Sequence, residues 1–412
     1  MSDEFTSFEQ QAVIKVCGVG GGGGNAVGRM IEAKLQDIEF ITINTDAQAL
    51  KHSAAGTRLQ IGEGGLGAGA RPDTGKQAAL NDRERIAEVL RGADMIFLTA
   101  GLGGGTGTGA TPIVAEVAKE TGALTVAIVT LPFSFEGQER MNNALNGLAA
   151  LQEHVDALIV VPNDRLALIC QENTSFLNAF RLADEVLYNG VRAISELITV
   201  PGLINLDFAD VRTIMESSGR ALMGIGTAEG EDRASRSAQE AIVCPLLEKS
   251  SIDGAVGVIV NVKGGCDITM REVLDAVTTV KKAAHPSANI IFGAVLEEQE
   301  RAELQVTVIA AGFAKEAIQP STLEEREAAQ AAAVASPPTP APAPRLAAAK
   351  PAQPQRPDEP VPQEPQGQYL FFDDEKPRDA AKPAPEQAPA PPQQDDEDID
   401  IPAFMRRRRE QR

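Results

Sequence analysis

Two glycine-rich segments, each placed directly after a strand-like run of apolar residues, constrain this sequence more than any other feature. The first, GVGGGGGN, occupies 18–25, and the second, GLGGGTGTGATP, occupies 101–112. Glycine lets a backbone approach a ligand closely, and a helix that begins beside such a loop directs its N–H groups and about half a positive charge at an anion. We therefore predict two phosphate-binding turns, with a helix opening near Asn25 after the first turn.

The first loop by itself fits two classes of nucleotide-binding protein. Gly18, Gly20 and Gly23 satisfy GxGxxG, the fingerprint of dinucleotide-binding dehydrogenases, in which Asp46 would hold the ribose. The second loop favours a triphosphate, because one pyrophosphate needs one such loop whereas a triphosphate can be held from both sides. A tight turn alone does not require the glycines and threonines of 103–109. A dehydrogenase is the alternative, and it leaves the second loop without a role.

A phosphate loop of the Walker type does not fit. The nearest candidate, ARPDTGKQ at 70–77, has Ala70 where the leading glycine should stand and Gln77 where the metal-binding hydroxyl should be. No lysine reaches the phosphates by that route. Oriented amides and a metal ion must therefore balance the phosphate charge.

The first part of the chain alternates β-branched runs with helix-compatible segments. The runs occupy 13–20, 40–46, 95–101, 124–133 and 157–164. Strands that are apolar on both faces and alternate with helices belong in a parallel sheet covered on both sides. This pattern predicts a doubly wound α/β domain over 13–173, preceded by a flexible arm at 1–12.

A long helix and a second, smaller α/β domain are predicted to follow. Apolar residues spaced three or four apart from 174 to 198 indicate a central helix, which ends by the Pro–Gly pair at 201–202. The second domain, over 203–316, has four strand signals, at 221–228, 255–265, 289–297 and 303–313, with helices at 208–218, 233–248 and 269–283.

Composition limits the remaining classes of function. A net charge of -20 argues against a nucleic-acid-binding surface, which needs a basic face. The four cysteines form no CxxC pair, which is typical of a reducing compartment. No signal peptide is evident, and no apolar run approaches the ~18–20 residues that cross a bilayer. We expect a cytoplasmic protein.

The string GGGTGTG at 103–109, with GVGGGGGN before it and LPFSFEGQER at 131–140 after it, resembles the signature of the tubulin superfamily and, within it, the FtsZ family of bacterial cell-division GTPases. The resemblance covers about 12–313 and the closing peptide. One departure is Leu131, where the family has a lysine. The resemblance implies an enzyme that binds GTP and GDP with Mg²⁺, and a homopolymer that assembles head to tail.

The resemblance also implies the nucleotide contacts. The phosphates would be held by Gly20, Gly21, Gly22, Gly23, Gly24 and Asn25 and by Gly103, Gly104, Gly105, Thr106 and Gly107. Glu136 and Arg140 would contact the ribose and its surroundings, and Thr130 would belong to the same nucleotide site. Phe180 would stack on guanine, and Asp184 would accept hydrogen bonds from its N1–H and 2-amino groups, which adenine lacks as a pair. From the residues alone, Phe180 also fits the helix core and Asp184 a solvated surface acid.

The segment PGLINLDFADVRT at 201–213 has two readings that do not exclude each other. Asp207 and Asp210 stand where a helix N-cap and a first-turn acid would be favoured by the helix dipole. The family resemblance adds that Asn205, Asp207 and Asp210 enter the nucleotide pocket of the next subunit and polarise the attacking water. No metal-binding side chain is predicted.

The tail is predicted to carry docking motifs on a disordered linker. Residues 317–394 are rich in Ala, Pro, Gln and charge, which cannot bury enough apolar surface to order a chain. In the closing peptide, 395–412, the resemblance implies that Ile399, Pro402 and Phe404 bind membrane-anchoring and regulatory division proteins at midcell. Arg406, Arg407, Arg408 and Arg409 would touch anionic lipid weakly, or form an idle basic end. An apolar island in the linker, Tyr369, Leu370, Phe371 and Phe372, indicates a second docking motif or a chance cluster.

Overall fold

The computed structural model describes residues 12–166, 175–200, 204, 206–216, 218–246, 252, 254–297 and 301–313. The predicted linker and closing peptide, the arm before residue 12, and Asn205 lie outside the described residues. The docking motifs predicted in the tail therefore stay predictions.

The N-terminal part alternates strands and helices, as the sequence predicts. Its strands are β1 (Ile14–Val19), β2 (Ile38–Asn44), β3 (Thr57–Gln60), β4 (Met95–Gly101), β5 (Leu124–Leu131) and β6 (Ala157–Pro162). Its helices are α1 (Gly20–Glu32), α2 (Ala47–His52), α3 (Pro72–Asn81), α4 (Arg83–Leu90), α5 (Thr106–Glu120), α6 (Gln138–Gln152) and α7 (Asn163–Leu166). A short 3₁₀ turn, Ser134–Glu136, precedes α6.

The C-terminal part begins with a long helix and continues with four strands. Its helices are α8 (Phe176–Thr199), α9 (Phe208–Met215), α10 (Arg233–Ile242) and α11 (Met270–Ala283). Its strands are β7 (Gly219–Glu229), β8 (Gly257–Gly264), β9 (Asn289–Leu296) and β10 (Glu303–Ala311). The predicted central helix is confirmed, and the Ser175 hydroxyl caps it by accepting a hydrogen bond from the amide of Asn178.

All of these strands belong to one sheet, in the order β3-β2-β1-β4-β5-β6-β7-β10-β8-β9. The first six are parallel and follow the order of a doubly wound fold, so the predicted fold class is confirmed. β7 pairs in parallel with β6, and β10 is antiparallel to both β7 and β8. The two predicted domains therefore share a continuous sheet, through a short register in which Ala157 lies opposite Gly219.

Burial follows the predicted pattern of strands covered on both faces. Every residue of β1 and β5 is buried, and Phe97 in β4 is fully enclosed. Helix α8 places Val191 and Ile194 in the same core cluster, which extends into the C-terminal strands. Strand β3, TRLQ, was not predicted because it is short and mostly polar. In the part of the chain that the structure describes, no helix is long and apolar enough to span a membrane.

Helix α10 lies unusually close to β7, and a glycine makes this possible. A Cβ at Gly226 would lie 2.0 Å from the carbonyl oxygen of Ser237 and 2.5 Å from the amide nitrogen of Ala241. Both atoms belong to the helix backbone, which cannot move aside as a flexible side chain can. The glycine is therefore required by packing.

We predict that Gly226→Ala lowers the free energy of unfolding by about 1–3 kcal/mol, the usual cost of overpacking a core. Gly28→Ala is the matched control, because a Cβ there meets no described atom within 4 Å and the position is inside α1. Replacing glycine in a helix without a clash is expected to stabilise by about 0.5–1 kcal/mol. Urea denaturation midpoints would measure both, and equal midpoints would contradict the packing argument.

Candidate functional site

The two glycine loops pack directly against each other at one edge of the sheet. β1 and β4 are parallel neighbours, so the loops that follow them leave the same edge. A Cβ at Gly20, whose φ is +74°, would lie 2.8 Å from the amide nitrogen of Gly107. A Cβ at Gly107 would lie 2.5 Å from the carbonyl oxygen of Gly101. Only glycine permits this approach, and the two predicted loops form a single site.

Both loops lead into helices whose first amides have no side-chain cap. α1 begins after Val19 and α5 after Gly105, neither of which carries a polar side chain, and neither helix has an acidic residue in its first turn. The unsatisfied N–H groups and the dipoles of two helices thus point to the same place. This arrangement suits a polyphosphate anion.

The predicted start of the first helix near Asn25 is wrong, because α1 begins at Gly20. The glycine run forms the first turns of the helix instead of a loop before it. Because glycine has a low helix propensity, the sequence predicted a loop at the glycine run. At this position the positive φ of Gly20 turns the chain directly out of β1, and Gly23 packs too tightly on Thr99 for any side chain to fit.

The predicted phosphate-binding glycines fall into two groups. Members of the first group press against backbone; besides Gly20 and Gly107 they are Gly22, Gly23, Gly103 and Gly105. Members of the second group border open space, since a Cβ at Gly21, Gly24 or Gly104 would meet no described atom within 4 Å. Gly20 and Gly22 bring the two loops together, and we refer to the open space beside the second group as the candidate cradle.

A third segment, residues 62–71, completes one wall and was not predicted as part of the site. A Cβ at Gly105 would lie 2.7 Å from the Cβ of Ala68 and 2.9 Å from the amide nitrogen of Arg71. Ala70 in this segment is exposed and has φ +62°, a strained conformation for a residue with a side chain. The signal for this wall in the sequence is the density of glycines in 62–69.

Asp82 anchors the start of this third segment. Its Oδ2 accepts a hydrogen bond from the amide of Gly62 at 2.7 Å, and its Oδ1 pairs with Arg85 at 2.8 Å. Partial burial raises the pKa of Asp82, but the Gly62 amide and the Arg85 guanidinium together outweigh it and hold the pKa below its usual range. The carboxylate is therefore ionised at neutral pH and keeps the segment in place.

The predicted ribose residues lie beside the second loop. The amide of Leu102 donates to the carbonyl oxygen of Thr130 at 2.9 Å, and a Cβ at Gly103 would lie 3.0 Å from the carbonyl oxygen of Arg140. Glu136 accepts a hydrogen bond from the amide of Phe133 at 2.9 Å. Its second oxygen lies 3.3 Å from the Nε of Arg140. These contacts fix the segment next to the phosphate cradle.

The predicted base-binding residues, Phe180 and Asp184, both lie on α8. The half-buried ring of Phe180 packs edge-on against Phe133 with centroids 5.4 Å apart. The Asp184 side chain is 16% exposed and lies 3.4 Å from the Nε of Arg29 in α1. It is therefore not a solvated surface acid.

Asn163 is a further candidate that the sequence reasoning missed. It is 5% exposed, and its Oδ1 has no hydrogen-bond partner among the described residues. It follows β6, and the adjacent Asp164 accepts a hydrogen bond from the amide of Ser134 at 2.8 Å. An unpaired buried amide oxygen is costly unless a ligand supplies the donor.

Asp46 does not serve the role that a dehydrogenase would require. Its carboxylate caps α2 by accepting hydrogen bonds from the amides of Gln48 at 2.9 Å and Ala49 at 3.2 Å. The alternative of a dinucleotide-binding site is therefore not supported.

The predicted catalytic acids lie at the other edge of the sheet. Asp207 caps α9 by accepting a hydrogen bond from the amide of Ala209 at 2.7 Å, so the predicted N-cap is confirmed, and Asp210 is exposed in the first turn. One turn further, the Arg212 guanidinium donates to the carbonyl oxygen of Gly122 at 3.0 Å. Gly122 precedes β5, whereas the glycine loops follow β1 and β4. The structure does not bring these acids to the cradle of their own chain.

Within the described residues, no three His, Cys, Asp or Glu side chains are grouped to hold a metal ion. Two arginines of the surrounding segments, Arg29 and Arg140, face carboxylates, whereas Arg71 belongs to the third wall itself. The dipoles of α1 and α5 add positive charge at the cradle. A metal ion held by phosphate oxygens and water would suit these surroundings, because Mg²⁺ at nucleotides keeps most of its ligands outside the protein.

Comparison with known families agrees with this geometry. The GTPase-domain model of the Tubulin/FtsZ family matches residues 13–171, and the C-terminal-domain model of the FtsZ family matches residues 219–314.

Solved structures give the same result. An empty FtsZ dimer from M. jannaschii is 41% identical, with 76% of this chain and 95% of that chain covered and a TM-score of 0.71. An FtsZ mutant from M. jannaschii is 43% identical over 74% of this chain and 92% of its own, also with a TM-score of 0.71. CetZ2 from Haloferax volcanii, as a GTPγS-bound protofilament, is 22% identical with a TM-score of 0.64 over 78% of this chain and 99% of its own, and shows the shared fold.

Alanine substitutions in the two groups of glycines are expected to have different effects, one on stability and the other on nucleotide affinity. Gly107→Ala should lower the free energy of unfolding by about 1–3 kcal/mol, because the new Cβ would lie 2.5 Å from the backbone carbonyl oxygen of Gly101. Gly104→Ala should leave it unchanged and weaken nucleotide binding, because the new Cβ points into the cradle. Urea denaturation without nucleotide and a titration with GDP measure the two effects. A Gly104→Ala protein with native affinity would count against the cradle.

Proposed function

The chain belongs to the Tubulin/FtsZ family, and we propose that it hydrolyses GTP only where two of its subunits meet head to tail. As a family member it is a GTPase that binds GTP and GDP and assembles into cytoskeletal filaments. The proposal concerns where the hydrolytic groups come from and what the filaments do.

The observation that carries the proposal is the separation of the two halves of the site. The phosphate cradle follows β4, and α9 is held at the opposite edge by the contact between Arg212 and Gly122. The seven residues of β4 span roughly 23 Å at about 3.3 Å per residue. Asp207 and Asp210 are therefore too far from the phosphates of their own chain. A second subunit stacked in the same orientation brings its α9 to the cradle, and such a head-to-tail contact repeats as an open filament.

The chemistry fits a carboxylate pair supplied by the neighbour. Phosphoryl transfer to water depends mainly on placing the water in line and on stabilising negative charge. Asp207 and Asp210, together with the predicted Asn205, would orient and polarise that water. The amides that begin α1 and α5 would stabilise the charge on the phosphates. The exposure of Asp210 in the single chain is consistent with a group that acts only after assembly.

We propose that Mg²⁺ accompanies the nucleotide and offsets phosphate charge when it is bound. The residues present fit it, because phosphate oxygens and water would be its main ligands and the nearby carboxylates Glu136 and Asp184 already face arginines. The chain's own contribution is to orient the phosphates through the open glycines Gly21, Gly24 and Gly104.

For the base, we propose that Phe180 stacks on guanine and that Asp184 accepts hydrogen bonds from its N1–H and 2-amino groups. Both residues are on α8; Phe180 packs against Phe133, and Asp184 lies 3.4 Å from the Nε of Arg29 in α1. The unpaired Oδ1 of Asn163 is a further acceptor for a donor on the base or ribose. This set of acceptors favours guanine over adenine.

In the cell, we propose that the filaments form the division ring at midcell of a bacterium. Ile399, Pro402 and Phe404 would then bind membrane-anchoring and regulatory division proteins, and Arg406 to Arg409 would add weak attraction to anionic lipid. The island Tyr369 to Phe372 would be a second docking motif. The support for these roles is the family membership and the apolar and basic composition of the tail.

Specific activity is expected to rise with protein concentration, because each complete site needs two subunits. Phosphate release per subunit, measured from very dilute to saturating protein with GTP, is the appropriate assay. A flat profile would show that a single chain is sufficient.

Mixing two inactive variants tests the shared site directly. Asp210→Ala keeps the cradle and lacks an acid of α9, and it is expected to bind GTP normally and to form over-stable filaments. Gly104→Leu fills the cradle, because a Cβ there points into open space, and keeps α9. Each alone is expected to lose nearly all GTPase activity. The mixture should recover a clear fraction of it, since the acids of one variant meet the nucleotide of the other.

Asp275→Ala is the matched control, because it removes an exposed acid from α11, far along the chain from both halves of the site. It should retain native activity alone and in mixtures. If mixtures of Asp210→Ala and Gly104→Leu stay as inactive as their components, the acids do not act across the subunit interface.

A further inference from the structure

A pair of buried hydroxyls joins the end of β2 to the first turn of α5. The Oγ1 atoms of Thr45 and Thr106 lie 2.6 Å apart, and the two residues are 6% and 8% exposed. Thr106 is the first residue of α5, in the second glycine loop, and a Cβ at Gly20 would lie 3.5 Å from its Cβ. The pair thus lies beneath the place where both loops meet.

The main chain around Thr45 also holds the third wall of the cradle. The carbonyl oxygen of Thr45 accepts a hydrogen bond from the amide of Gly67 at 3.0 Å, and that of Asn44 accepts one from the amide of Ile61 at 3.0 Å. Residues 62–71 are therefore fixed to the end of β2 before they reach Gly105. The backbone of Thr45 thus binds the third wall, and its side-chain hydroxyl contacts Thr106.

We propose that Thr45 is a positioning residue that fixes the direction of the Thr106 hydroxyl proton. This inference rests on the proposed contact between Thr106 and the phosphates. Each hydroxyl has one proton to donate, and a phosphate oxygen can only accept. When Thr45 donates to the oxygen of Thr106, the proton of Thr106 is left for the phosphate. The bond from Thr45 also polarises the Thr106 hydroxyl and makes it a stronger donor.

Thr45→Val is the informative substitution, because valine has the shape of threonine and leaves both backbone hydrogen bonds in place. GDP affinity is measured by calorimetry on the full chain in EDTA, so that neither assembly nor a metal ion contributes. We expect GDP to bind about tenfold more weakly, the size of a partly lost hydrogen bond to a charged group. Thr45→Ser, which restores the hydroxyl, should return the affinity close to the native value.

Strand β2, which ends one residue before Thr45, supplies a matched control. Thr42 is 2% exposed, and its hydroxyl lies 3.0 Å from the hydroxyl of Ser53, the residue that follows α2. Thr42→Val therefore removes an equivalent buried hydroxyl pair from β2. It should lower the urea midpoint about as much as Thr45→Val does, with GDP affinity unchanged. Equal losses of GDP affinity in both variants would overturn the proposal, because a general loosening of β2 would then be the cause.

A double-mutant cycle with Thr106→Val separates the inference from its premise. Thr106→Val should weaken GDP binding, and adding Thr45→Val should weaken it no further, since the group that Thr45 positions is already absent. A second tenfold loss in the double variant would overturn the positioning role. Native GDP affinity in Thr106→Val would instead refute the proposed contact between Thr106 and the phosphates.

Discussion

The backbone contact between Gly20 and Gly107 is the constraint from which the rest of the site follows. It brings the N-termini of α1 and α5 to one point and so concentrates the dipoles of two helices where no side chain caps them. A cradle built from amides needs no lysine, and Arg29 and Arg140 beside it are paired with carboxylates. The tight glycines determine the geometry, and the open glycines leave space for a ligand.

The parallel sheet explains why the site is divided. In a doubly wound fold the loops after parallel strands lie at one edge of the sheet and the segments that lead into the strands lie at the other. The phosphate loops belong to the first set. Helix α9 lies with the second, because Arg212 contacts Gly122, which leads into β5. On the proposed function, chemistry that needs both sets requires a neighbouring subunit, and a second subunit stacked in the same orientation supplies the missing set. Hydrolysis would then follow self-association.

Much of this architecture could be predicted from the sequence, because the long apolar strands and the two glycine loops are strong local signals. Strand β3 was missed since four residues, three of them polar, carry no clear periodicity. The start of α1 was misplaced since the low helix propensity of glycine argues against a helix that the fold imposes. The wall at 62–71 and the unpaired amide of Asn163 depend on contacts between residues far apart in sequence. Pairings such as Thr45 with Thr106 likewise have no local signature, because each threonine alone is an ordinary strand or helix residue.

Because the cradle and α9 lie at opposite edges of the sheet, a filament of these subunits has two different ends. On the proposed arrangement, the subunit at one end has a nucleotide pocket that no neighbour completes. The subunit at the other end exposes the acids of α9 without a nucleotide next to them. Nucleotide can be exchanged freely at the first tip, whereas every interior pocket is roofed by the next molecule. On the proposed arrangement, the order of strands in a single subunit therefore determines the polarity of the filament.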